Sequence, residues 1–106
     1  YMINQIKQWM GLGPATDYKQ LQAQGAQIID VRTRGEYASG HISGSKNLPL
    51  NELTQLAGKL KKDKPVITCC ASGMRSASAK SILQNLGFTE VYNGGGWANL
   101  NRQLHD

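Results

Sequence analysis

The chain has 106 residues, of which 40% are apolar and 18% are charged. These values predict one soluble globular domain and exclude an intrinsically disordered chain. Twelve Lys and Arg residues against seven Asp and Glu residues give a net charge of +5, which suits a small anionic substrate or an acidic partner. The basic residues are scattered apart from one short lysine-rich run, so no nucleic-acid binding is expected.

The chain contains no apolar run of the roughly 18 residues that a membrane span requires, and no signal-peptide core is recognised near its N-terminus. Tyr1 is not an initiator residue, so we expect that something was trimmed or added ahead of Met2. The cysteines, Cys69 and Cys70, are adjacent. A bridge between them would be strained, because neighbouring Cα atoms lie about 3.8 Å apart, closer than disulfides prefer. We expect free thiols and a cytoplasmic protein.

The N-terminal residues 1–13 are predicted to form a short amphipathic helix, with Ile3, Ile6 and Met10 at helical spacing. We expect this segment to dock on the domain formed by residues 14–106. Elements predicted next are a helix capped by Thr16 or Asp17, a buried strand at 27–31, a capped helical turn at 33–40, a brief strand at 46–48 and a helix at 51–60 capped by Asn51.

The second half of the chain contains the predicted central strand, residues 65–69, which is apolar on both faces. A helix follows whose apolar positions have i, i+3, i+4, i+7 spacing and which stops at Gly87: Ala79, Ile82, Leu83, Leu86. The last predicted elements are a strand at 90–92, a flexible glycine loop at 94–96 and a helix at 97–104. This alternation predicts a three-layer α/β domain with a small parallel sheet flanked by helices.

Cys70 stands between the central strand and the following helix, at the carboxyl end of a strand where such sheets place ligands. The helix N-terminus, the amides of a small-residue loop and the Arg75 cation would all favour its thiolate. Gly73 permits the positive φ that such a curled loop requires. A nucleophilic Cys70 is therefore favoured over the alternative of a buried structural cysteine.

Three segments resemble the single-domain rhodaneses of the sulfurtransferase superfamily. The first is Asp30-Val31-Arg32 with Glu36-Tyr37, Gly40-His41-Ile42, Gly44, Asn47 and Pro49-Leu50. The second, 70–76, resembles the family's six-residue active loop, and the third comprises Gly87-Phe88 and residues 91–97. The likeness runs from about residue 16 to residue 100 and implies a rhodanese-like fold.

The resemblance implies transfer of a sulfane sulfur by a ping-pong route through a Cys70 persulfide. The donor would be thiosulfate or another persulfide, and the acceptor a thiol, a protein or another nucleophile. Arg75 would orient the anion and hold the loop. The other loop residues would contribute mainly main-chain N–H groups: Ala71, Ser72, Gly73, Met74, Ser76. Asp30 and Arg32 would form a supporting ion pair near the site, with Glu36 as a partner for Arg32.

Two features depart from the family pattern. Many members carry a basic residue directly after the cysteine, where this chain has Ala71, and Met74 is also uncharged. This puts thiosulfate as the preferred donor in doubt and leaves protein or small persulfides open. The second departure is Cys69, because Cys69-x5-Arg75 matches the spacing of the related cysteine phosphatases.

A phosphatase or arsenate-reductase-like enzyme is therefore a rival hypothesis, and a non-catalytic sulfur-relay or binding module is another. Strand alternation argues against the first, since Cys69 should point into the core if Cys70 points into the loop. His41 is interpreted as structural, and Trp97 either walls the pocket or anchors the last helix. No metal site, no cofactor and a monomeric state are expected.

Overall fold

The computed structural model describes residues 16–105, so the predicted helix at 1–13 lies outside the described residues. A four-stranded, fully parallel sheet forms its centre, with strand order β2-β1-β3-β4. The strands are β1 (Gln27–Asp30), β2 (Lys46–Asn47), β3 (Val66–Cys70) and β4 (Val91–Gly96). Every residue of β3 is buried, as a central strand covered on both faces requires.

The helices are α1 (Tyr18–Ala23), α2 (Arg34–Ala38), α3 (Leu53–Leu56), α4 (Met74–Asn85) and α5 (Trp97–His105). On one face of the sheet, α3 and α4 contact each other, and Leu53 and Leu83 share a core with Ile29 and Val66. On the other face, α1 and α5 contact each other, and Leu100 shares a core with Ile28 and Ile67. The expected three-layer α/β architecture is confirmed.

The connections place the carboxyl ends of β1 and β3 side by side at the centre of the sheet. From β1 the chain moves outward to β2, and then returns to the other side of β1 for β3 and β4. Such a reversal of direction opens a crevice at the carboxyl ends of the strands. Among residues 16–105, no helix is long and apolar enough to cross a membrane.

The predicted helix at 51–60 is broken into short pieces. A 3-10 turn at Leu50–Glu52 precedes α3, and a second one at Ala57–Lys59 follows it. Asn51 lies within the first turn instead of capping a helix, so that expectation is wrong. By contrast, Asp17 caps α1 as expected, because its side chain accepts a hydrogen bond from the Gln20 main-chain N–H.

The three glycines at 94–96 complete β4 and do not form the expected flexible loop. Their lack of side chains explains the difference. A Cβ on Gly94 would lie 2.8 Å from the main-chain oxygen of Thr68, and one on Gly96 would lie 3.0 Å from that of Ala71. Glycine therefore lets β4 approach both β3 and the loop that follows it, and Gly96 is the register partner of Cys70.

Candidate active site

Cys70 is the last residue of β3, and α4 begins only four residues later at Met74. Gly73 makes this sharp connection and adopts a φ of 105°, in the left-handed region that favours glycine. The helix therefore starts at Met74, directly after this turn. Its N-terminal N–H groups, which have no partner within the helix, open toward the end of β3.

The sulfur of Cys70 accepts hydrogen bonds from main-chain N–H groups. The nitrogen of Gly73 lies 2.9 Å from Sγ, and that of Ser76 lies 3.3 Å away. The Ser76 hydroxyl oxygen is 3.5 Å from the same sulfur. Among the described residues, neither Ala71 nor Met74 is hydrogen-bonded to it, so fewer of the expected donors reach the sulfur in this conformation.

Two opposing effects set the ionisation of Cys70. The residue is only 1% exposed, and burial of the thiol raises its pKa. Hydrogen bonds from the hydroxyl and N–H of Ser76 and from the N–H of Gly73 lower that pKa. The hydrogen bonds dominate, so the pKa of Cys70 lies below its ordinary value and the thiolate is favoured.

Ser76 is held in place from two further sides. Its hydroxyl donates to the side-chain oxygen of Asn93 at 2.6 Å and lies 2.9 Å from the main-chain oxygen of Gly73. The main-chain oxygen of Ser76 accepts from the Thr68 hydroxyl at 2.9 Å. Sequence reasoning assigned no role to Asn93, because only the return of β4 beside α4 brings it to the site.

Arg75 was expected to orient the anion and hold the loop, and the structure shows it bound to Glu36 of α2. Its two terminal nitrogens lie 2.7 and 3.0 Å from the two carboxylate oxygens. The hydrogen bond from Arg75 lowers the pKa of Glu36 to about 2, with help from the Thr33 N–H. The expected partnership of the Glu36 carboxylate with Arg32 is therefore wrong, since Arg32 contacts only the main-chain oxygen of Glu36.

Asp30 and Arg32 form the expected buried ion pair at the end of β1. The Arg32 Nη2 atom lies 2.7 Å from an Asp30 carboxylate oxygen, and it also donates to the main-chain oxygen of Gly40. The Arg32 guanidinium lies 4.8 Å from the ring centroid of Trp97. These contacts tie α2 and α5 to the sheet, which is a scaffolding arrangement.

Comparison with known proteins identifies the fold. The family model of the rhodanese-like domain matches residues 14–103. The chain belongs to the rhodanese-like domain family. It is 38% identical over 85 residues to the thiosulfate sulfurtransferase GlpE of Stutzerimonas stutzeri, covering 73% of this chain and 78% of that protein.

The chain is also similar to a second curated protein and to a solved structure. The uncharacterized protein YqhL of Bacillus subtilis is 44% identical over 68 residues, which are 64% of this chain but only 54% of that protein. The solved structure of a rhodanese with anions from E. coli is 36% identical and superposes with a TM-score of 0.65, covering 70% of this chain and 89% of that one. The family membership supports a sulfurtransferase, as the resemblance implied.

In this rhodanese-like domain, Cys69 and Cys70 belong to different cores. Cys69 is fully buried on the α1 and α5 face, whereas Cys70 lies on the α4 face. Burial, together with the nearby Asp30 carboxylate, raises the pKa of Cys69 to about 12. A thiol that stays neutral is a poor nucleophile, and Cys69 lies on the face of the sheet opposite the loop, so the structure argues against the phosphatase spacing that begins at Cys69.

The remaining candidate residues lie around this centre. The His41 ring stacks on Tyr37, with its Nδ1 atom 2.8 Å from the Tyr37 main-chain oxygen, which is a structural placement. Trp97, the first residue of α5, packs against the core that contains Leu100, which favours the interpretation that it anchors the last helix. Met74 is 80% exposed beside the loop. Within residues 16–105, no cluster of His, Cys, Asp and Glu side chains could hold a metal ion.

Proposed function

We propose that this rhodanese-like domain is a sulfurtransferase that carries a sulfane sulfur as a persulfide on Cys70. The observation that carries the proposal is the pair of main-chain N–H groups, from Gly73 and Ser76, that point at the Cys70 sulfur. Such donors stabilise a thiolate at neutral pH, and they are already in place before the reaction begins.

In the loading step, the Cys70 thiolate attacks the outer sulfur of the donor. A new S–S bond forms to Cys70 while the donor's own S–S bond breaks. The electron pair leaves with the donor remnant, which is a thiolate from a persulfide or sulfite from thiosulfate. No external oxidant or reductant is required, because the sulfur atom moves together with its oxidation state.

In the unloading step, a nucleophilic acceptor such as a thiolate attacks the outer sulfur of the Cys70 persulfide. The bond between the two sulfurs breaks and Cys70 departs as a thiolate. The Gly73 and Ser76 N–H groups receive the charge that returns to its sulfur. The same two donors therefore assist Cys70 both as a nucleophile and as a leaving group.

The charges around the loop favour a persulfide donor over thiosulfate. Ala71 and Met74 are neutral, and the guanidinium of Arg75 is neutralised by Glu36. A divalent anion such as thiosulfate gains most from free cationic groups, whereas a persulfide has a single negative charge. The 1% exposure of Cys70 further favours a donor whose sulfur ends a slender chain. A free thiolate also fits the reducing cytoplasm, where we place this activity.

Mass spectrometry of the intact protein tests the proposal. After incubation with a small alkyl persulfide or with thiosulfate, we expect a gain of one sulfur atom. The gain should be lost in Cys70→Ser and kept in Cys69→Ser, which is the matched control. A gain that follows Cys69, or hydrolysis of an aryl phosphate without sulfur loading, would contradict the proposal.

A further inference from the structure

The hydroxyl of Ser76 lies within reach of three atoms that can accept a hydrogen bond from it. These are the side-chain oxygen of Asn93 at 2.6 Å, the main-chain oxygen of Gly73 at 2.9 Å and the sulfur of Cys70 at 3.5 Å. A serine hydroxyl has one proton to donate but can accept two hydrogen bonds. The direction of the Ser76 O–H bond therefore decides whether Ser76 donates to the sulfur or accepts from it.

The orientation of the Asn93 amide is fixed by its other neighbour. The main-chain N–H of Gly95 lies 2.9 Å from the same side-chain atom, and a main-chain N–H can only donate. That atom must be the amide oxygen, so Ser76 must be the donor in its contact with Asn93. While Ser76 donates to Asn93, its oxygen can accept a hydrogen bond from the Cys70 thiol but cannot donate one to a thiolate.

We propose that Asn93 is a positioning residue that, through Ser76, competes with the Cys70 sulfur for the single Ser76 hydroxyl proton. In the thiol form, Ser76 donates to Asn93 and accepts from the S–H group. When the thiol ionises, the hydroxyl turns toward the sulfur and its bond to Asn93 breaks. The Gly73 main-chain oxygen also competes for this hydroxyl, but at 2.9 Å it is the longer contact, whereas Asn93 lies at 2.6 Å. Asn93 is therefore the stronger competitor and opposes formation of the free thiolate.

The competition has a consequence for sulfur carriage, and this part rests on the proposed function. In a Cys70 persulfide, the inner sulfur is bonded to the outer one and has neither a proton nor a full negative charge. Ser76 is then free to donate to Asn93 again. Asn93 consequently stabilises the loaded form relative to the empty thiolate and favours retention of the sulfur.

Charged groups near the site do not replace this effect. Those that act on Cys70 and its surroundings are Arg75, with Glu36 bound to it, and Asp30, which is paired with Arg32. None of these side chains is hydrogen-bonded to Ser76 within the described part of the chain. A change at Asn93 therefore leaves their arrangement in place.

The test is the pH dependence of Cys70 alkylation by iodoacetamide, followed by peptide mapping. We compare the wild type, Asn93→Ala, Ser76→Ala and the double variant. Asn93→Ala should accelerate alkylation below neutral pH about two- to tenfold, the range that one net hydrogen bond represents. Ser76→Ala should be slower than the wild type, and adding Asn93→Ala to it should change nothing further.

Equal acceleration by Asn93→Ala with and without Ser76 would overturn the proposal, because the effect would then arise from a general change in the loop. No acceleration in the wild-type background would also overturn it. Asn93→Leu, which removes the oxygen but retains side-chain bulk, should behave as Asn93→Ala does and covers a folding defect in the smaller variant. Because alkylation reports ionisation alone, this inference and the sulfurtransferase proposal can fail separately.

Discussion

Arg75 and Glu36 form a two-pronged ion pair between the start of α4 and the middle of α2, with N–O distances of 2.7 and 3.0 Å. The pair is about one third exposed on each side, so water partly screens it. It attaches the active loop to a second element of the fold. The pair also neutralises Arg75, the one basic residue of loop 70–76, so its charge is less available to an incoming anion.

Glu36→Gln should release that cation. Glutamine retains a side-chain oxygen for the Thr33 N–H, so α2 keeps its cap. We expect kcat/KM for thiosulfate to rise roughly two- to fivefold, since a partly screened charge contributes modestly. Steady-state kinetics with thiosulfate and with a persulfide donor measures the effect, which should be larger for thiosulfate.

Glu52→Gln is the matched control for that substitution. Glu52 forms a similar two-pronged pair with Arg34, but it contacts no residue of the loop. The control should leave both kcat/KM values unchanged. An equal response of the two variants would mean that Arg75 is not the cause.

The Arg75–Glu36 pair also predicts a pH dependence of stability. The pKa of Glu36 is lowered from its usual 4.5 to about 2, so the folded state favours the carboxylate. Its stabilising contribution is complete above pH 4.5 and disappears as the pH falls toward 2. The difference in free energy of unfolding between wild type and Glu36→Gln should be constant from pH 7 to 5 and then shrink. A difference that grows on acidification would contradict the assignment.

The two cysteines should differ sharply in reactivity. In the native protein at pH 8, iodoacetamide should modify Cys70 and leave Cys69 intact, because the pKa of Cys69 is raised to about 12 whereas hydrogen bonds lower that of Cys70. Both should react after denaturation in urea. Peptide mapping measures how the label is distributed between the two cysteines. Modification of Cys69 in the native protein would contradict the assignment of Cys69 to the core and of Cys70 to the loop.

Gly94→Ala should destabilise the domain. The added methyl group would lie 2.8 Å from the main-chain oxygen of Thr68, which cannot move without distorting β3. We expect a loss of about 1–3 kcal/mol in the free energy of unfolding, measured by urea denaturation.

Gly58→Ala supplies the comparison for Gly94→Ala. Nothing lies within 4 Å of a Cβ at this exposed position, and its φ is not positive. Stability should stay the same or rise by about 0.4–1 kcal/mol, because alanine restricts the unfolded chain. A comparable loss in both variants would mean that close packing against β3 is not the cause.

The sheet and most of its flanking helices could be predicted because residue types and apolar spacings are local signals within each element, whereas the predicted helix at 51–60 is broken into short pieces. Pro65 through Cys69 is apolar apart from Thr68, and the central strand lies within one residue of the predicted bounds. The glycines after Asn93 were misassigned since glycine is typical of loops. What makes them a strand is close contact with β3, which only the tertiary fold reveals.

The candidate site could be predicted in part. The position of Cys70 at a strand end and the need for a turn at Gly73 follow from residue types and spacing. The partner of the Glu36 carboxylate could not be predicted in this way, because Arg32 is near it in sequence whereas Arg75 is separated from it by 39 positions. The contact between Asn93 and Ser76 was equally hidden, since it joins two elements that are brought together only by the parallel arrangement of β3 and β4.

The pleat of β3 gives two chemically identical neighbours opposite fates. One peptide unit separates a sulfur that accepts hydrogen bonds from main-chain N–H groups from a sulfur that is packed in the core. The two sulfurs lie on opposite faces of the sheet, so under the proposed function Cys69 is not positioned to remove a sulfur atom from Cys70. We therefore expect that sulfur carried by the proposed persulfide passes to an acceptor outside the domain and not to the adjacent thiol.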